Sequence, residues 1–63
     1  MSYKVSIVNQ ADIIFPSFDA AFVHLRNRMY MNTPRSAVKE LVDAGEIYRT
    51  VYGFYYGEME KVS

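Results

Sequence analysis

The spacing of apolar positions changes twice along this chain. Tyr3, Val5 and Ile7 alternate with Lys4 and Ser6, a period of two that predicts a strand running to about Asn9. Asn9-Gln10-Ala11-Asp12 is turn-like, and Ile13-Ile14-Phe15 suits a short second strand that closes a hairpin. From Pro16 the period lengthens. Phe18, Ala21, Phe22, Leu25 and Met29 recur at helical spacing, leaving Asp19, His24, Arg26 and Asn27 towards water. Ser17 is placed to cap this first helix, Asp19 favours its positive end, and Phe15 is placed to staple onto Ala21.

A second helix carries its own start and stop signals. Thr33 is expected at the N-cap, Pro34 at the first helical position and Gly45 just beyond the end. Ala37, Val38, Leu41 and Val42 form its apolar side, opposite Arg35, Ser36, Lys39, Glu40 and Asp43. Leu41 and Phe22 stand at the centres of their stripes, so they are expected to be buried and to meet. The link Tyr30-Met31-Asn32 is short, which makes the helices neighbours and the pair helix-turn-helix-like. Period two then returns. Residues 47–56 are β-branched and aromatic nearly throughout and predict one long strand, with Gly53 as a bulge or a close approach. Both alternate sets are apolar, so its buried face stays open. Gly57 is expected to end it, with 58–63 a frayed tail. The expected fold is therefore α+β, a β-(β)-α-α-β domain with both helices on one face of a short antiparallel sheet.

Length changes this picture by limiting the core. Sixty-three residues make a single small domain, and with no cysteine neither a disulfide nor a thiolate metal site supports it. Packing, self-association or a partner must supply the rest. Six Tyr and four Phe contribute large buried areas. The last strand offers an uncovered edge, so a homodimer is expected. No apolar run approaches the roughly 20 residues of a membrane span, and the start lacks the apolar stretch of a signal peptide. With the missing cysteines, this points to the cytoplasm.

Charge sums to zero but is segregated. Arg26, Arg28, Arg35 and Lys39 are the only formal charges from Ala20 to Lys39, whereas Glu40, Asp43, Glu46, Glu58 and Glu60 follow. Arg35, Ser36 and Lys39, supported by Arg26 and Arg28, are thus the candidate contacts to duplex DNA. Side chains at the start of a recognition helix reach bases while neighbouring cations hold phosphates. The plainer alternative is a solvated face, with Lys39 paired to Asp43 one turn on. A separate candidate is aromatic. Tyr30, Met31, Tyr48, Tyr52, Tyr55 and Tyr56 suit a patch that binds another protein, and the plainer alternative is that they fill the core.

Catalytic chemistry finds little support. No phosphate loop, nucleophile elbow or paired-histidine zinc motif occurs. His24 is the only histidine, on the polar side of its helix, and Glu58 and Glu60 fall in the expected tail. A non-enzyme with no metal and no cofactor is expected.

Phe15-Pro16-Ser17-Phe18-Asp19-Ala20-Ala21, Leu25, Thr33 to Leu41 and Tyr52-Gly53-Phe54-Tyr55-Tyr56 together resemble the NUMOD1-type modular DNA-binding domains attached to homing endonucleases and found in phage genomes. The resemblance covers about residues 5 to 56. It implies that Ala20 and Ala21 form the small pair of the first helix, that Arg35 and Ser36 open the recognition helix, and that Tyr52-Gly53-Phe54 closes the sheet. The compact Gly-Ile-Ser turn of that family is replaced here by Arg26 to Asn32. Two functions follow as expectations: a small DNA-binding regulator, or a phage-type interaction protein that inhibits or adapts a host protein through its tyrosine surface.

Overall fold

A computed structural model describes residues Met1–Ser63. The elements are β1 (Tyr3–Ile7), β2 (Ile13–Phe15), α1 (Phe18–Arg28), α2 (Arg35–Asp43), β3 (Tyr48–Tyr52) and β4 (Tyr55–Lys61). The fold is α+β. Four strands form one antiparallel sheet in the order β2-β1-β4-β3, and both helices pack on one of its faces. α1 lies on β1, β2 and β4, while α2 lies on β4 and β3.

Register sorts the strand residues by face. Val5, Met59 and Tyr48 stand side by side on the helix face, as do Ile7, Gly57 and Thr50 in the next row. Lys4 and Glu60, and Arg49 and Glu58, are direct cross-strand neighbours on the outer face, and each forms an ion pair. Val5, Met59, Leu25, Val38 and Val42 are almost fully buried at the centre. Burial of each such side chain stabilises by about 1.5–3 kcal/mol.

α1 begins as its sequence predicts. The Ser17 hydroxyl accepts from the Ala20 amide at 3.2 Å, satisfying a free donor of the first turn. α2 ends as predicted, with Gly45 at φ +89°. The Gly45 amide donates to the Val42 carbonyl and the Glu46 amide to that of Leu41, which together form a Schellman motif.

The start of α2 differs. Pro34, not Thr33, is the N-cap, and its carbonyl accepts from Ala37 and Val38, both at 3.1 Å. Thr33 caps nothing; its hydroxyl accepts from the Tyr48 hydroxyl at 3.1 Å and ties this turn to β3. Leu41 is half-buried rather than central, because Val38 and Val42 point straight at the sheet. The helices rest on the strands, so the centre of each apolar stripe meets the sheet.

The C-terminal third needs the largest correction. Residues 47–56 are not one strand. Tyr52 pairs with Tyr55 across a two-residue turn, Gly53-Phe54, whose glycine has φ +62°. Glycine first in a two-residue loop is the type II′ pattern, which suits the twist of paired strands. Residues 58–61 are not a frayed tail but part of β4, the strand between β1 and β3. Gly57 does not end a strand. It lies under α1, where an added Cβ would come within 2.8 Å of Leu25 Cδ1 and 3.1 Å of Met29 Cγ, so its bareness lets the helix approach.

Candidate functional site

The two candidate surfaces lie on different parts of this frame. Phe18 and Phe22 follow each other on α1 with their rings stacked at 5.6 Å. The Arg26 guanidinium covers Phe22 at 5.7 Å, while Arg35 and Lys39 of α2 cover Phe18 at 5.1 and 5.5 Å. Arg26, Arg35 and Lys39 therefore sit along one seam between the helices. Arg28 does not join them. Two residues on from Arg26, it is turned by about 200° around the helix axis and bonds the His24 carbonyl at 3.3 Å. Ser36 is exposed near the start of α2.

Carboxylates offset much of the seam's charge. Arg35 Nε donates to Asp19 at 2.7 Å, joining the two helices. Lys39 donates to Asp43 at 2.6 Å. Asp43 also accepts from the buried Tyr3 hydroxyl at 2.9 Å, with the Lys61 ammonium 4.0 Å away. The Lys39 and Tyr3 hydrogen bonds hold the Asp43 carboxyl below its usual range, and the same partnership raises the Lys39 ammonium. Burial, then Asp43, pushes the Tyr3 phenol up. Of the five predicted nucleic-acid contacts, only Arg26 and Arg28 are cations without an acidic partner.

The histidine is also placed differently from its expected exposed position. His24 is half-buried with its ring 4.9 Å from that of Phe15. Burial, and then the Arg28 charge, lower its pKa. No three His, Cys, Asp or Glu side chains gather in a metal-holding cluster.

The aromatic candidates divide. Tyr48 is buried and Met31 is half-buried against the core, so neither is a surface contact. Tyr30, Tyr52, Tyr55 and Tyr56 are exposed, with the Tyr30 and Tyr52 rings 5.8 Å apart. Three exposed residues were missed from the sequence: Phe54, Val51 and Ile47. Phe54 is 98% exposed at the tip of the turn. Gly53-Phe54 was the available signal, since a glycine within an aromatic run also marks a turn.

Geometry explains the exposure. Leu25 and Met29 reach the sheet at the Gly57 row, and the Tyr52–Tyr55 row lies beyond it. Thr50 to Gly57 carries no charge, and Arg49 and Glu58 neutralise each other at its base. The β3–β4 hairpin thus projects an uncharged aromatic end. On its outer face Arg49, Val51, Phe54, Tyr56 and Glu58 line a shallow depression.

No helix is long and apolar enough to cross a membrane. Neither the family models, nor the curated proteins, nor the solved structures searched contain a match to this chain.

Proposed function

We propose that this chain is a small, non-catalytic protein-binding module of the cytoplasm, which inhibits or adapts its partner by covering part of that partner's surface with the aromatic hairpin end. The observation that carries this reading is Phe54, almost wholly exposed at the tip of a hairpin whose other end residues, Val51, Tyr52, Tyr55 and Tyr56, are exposed as well. Large apolar groups gathered in one exposed place mark interaction surfaces, and tyrosine and phenylalanine are enriched in interface cores. A polyanionic partner is disfavoured at this end. Its nearest cation, Arg49, is paired to Glu58.

Affinity capture from lysate of the producing cells, after nuclease treatment, tests the reading. A captured protein is expected to be lost with Phe54→Ser and Tyr56→Ser and kept with Arg35→Ala. Capture unaffected by both hairpin variants overturns it.

Duplex DNA is the second reading, in line with the NUMOD1-type resemblance. It is favoured by Arg26, Arg35 and Lys39 sharing one seam. Titration at about 50 mM salt, where phosphate contacts are strong, tests it; no measurable affinity removes it.

A further inference from the structure

α2 uses only part of its circumference. Val38 and Val42 point into the core, and Arg35, Lys39 and Asp43 point towards α1 and β1, where their partners are. The remaining flank carries Ala37, Leu41 and Ala44 along a shallow depression. Ala37 and Ala44 are exposed and Leu41 is half-buried. These three residues follow the i, i+4, i+7 spacing by which one helix pairs with another. An alanine on either side of Leu41 leaves room for large side chains of a second helix. Such seams close to about 8–10 Å between axes. Ser36 lies outside the depression, about 100° round the helix from Ala37.

The same depression is acidic. Asp19, Asp43, Glu58 and Glu60 each pair with a cation, whereas Asp12, Glu40 and Glu46 pair with none. Glu40 and Glu46 both line this depression, and both are exposed. Glu40 immediately precedes Leu41 and borders the seam, the place from which paired helices reach a charge on their neighbour. Glu46 stands just beyond the end of α2. That end is the negative pole of the helix, and its last turn holds no basic residue. The flank therefore combines an apolar lane with uncompensated charge of one sign. The α2 flank of a second copy would set carboxylates against carboxylates, and a polyanion would be repelled as well.

We propose that this flank docks an amphipathic helix of a partner protein, with large aliphatic residues on its seam and lysine or arginine beside them. The aliphatic side chains cover Ala37 and Ala44 and pack on Leu41, while the flanking cations reach Glu40 and Glu46. The proposal rests on protein binding as the function. It does not rest on the aromatic hairpin end, which shares no residue with the flank.

The probe is a synthetic amphipathic peptide of about three heptads, long enough to be helical, with leucine on its seam and lysine beside it. A second peptide carries glutamate in place of every lysine. Each is titrated into isotope-labelled protein and followed by amide chemical shifts. The lysine peptide is expected to bind, with shifts gathered at Ala37, Leu41, Ala44 and Glu46. Glu40→Gln combined with Glu46→Gln should weaken it about fivefold, as loss of two exposed ion pairs would, and should flatten its salt dependence. Both side chains are exposed, so the doubly substituted protein should stay folded. Ala44→Lys places a cation in the lane and should abolish binding. Phe54→Ser should bind the peptide as the parent does, which separates this surface from the hairpin end. Absence of binding, equal binding of the glutamate peptide, or affinity unchanged in the doubly substituted protein overturns the proposal. Shifts gathered at the hairpin end overturn it too, as does a parent that doubles in mass through this flank without peptide.

Discussion

The Tyr3 hydroxyl donates to Asp43 at 2.9 Å, tying the first residue of β1 to the last residue of α2 across forty positions. A buried phenol needs such a partner, and the same carboxylate also holds Lys39. One acidic side chain therefore joins the sheet, the helix and the basic seam.

Acid should loosen this joint. The folded pKa of Asp43 is depressed, first by the Lys39 hydrogen bond and then by that from Tyr3. A depressed carboxylate contributes stability that is full above its unfolded pKa and is lost as pH falls through the folded value. The parent should lose stability below the ordinary carboxylate range. Asp43→Asn should flatten that acid limb, as followed by thermal unfolding at a series of pH values. An equal acid limb in both proteins would exclude Asp43 as its source.

Gly57 should resist substitution. Its added Cβ meets Leu25 in a fully buried position, and overpacking of this kind costs about 1–3 kcal/mol. Denaturant unfolding is expected to place Gly57→Val well below Gly57→Ala, because the branched side chain cannot be relieved by a small swing of Leu25. Parent-like stability of Gly57→Val would show that α1 does not sit this close to the sheet.

Caps can be ranked by the same measurement. Ser17→Ala removes the side-chain acceptor of α1 and should cost about 1 kcal/mol. Thr33→Ala instead breaks the bond from Tyr48, leaving a buried residue's hydroxyl without its partner. Its effect should appear as weaker protection, and so faster amide exchange, of β3 rather than fraying of α2.

Leu25→Ala should cost about 2–5 kcal/mol, enough to unfold so small a domain. Leu41→Ala should cost less in dilute protein, since Leu41 is only half-buried. Equal losses at the two positions would contradict the assignment of the α2 faces.

Local signals were the legible part of the fold. Ser17, Gly45 and the alternation of Tyr3, Val5 and Ile7 act within a few residues, and each appears where the pattern placed it. The β3–β4 hairpin was hidden because its turn is Gly-Phe, without Asn or Asp, inside an unbroken aromatic run. β4 was hidden because its two outer-face glutamates read as tail, although each meets a cation on a neighbouring strand. The basic residues of the candidate site were visible as a group. Their restraint was not: Asp19 reaches Arg35 across sixteen positions, and no spacing rule links them.

In the proposed function, partners meet the aromatic end rather than the basic seam. Site-specific photo-crosslinking reads this directly, with a benzophenone side chain placed either at Phe54 or at the exposed Ser36 near the start of α2, in cells that make the protein. A discrete protein adduct is expected from position 54 and none from position 36. An adduct from position 36 alone, to protein or to nucleic acid, would contradict it.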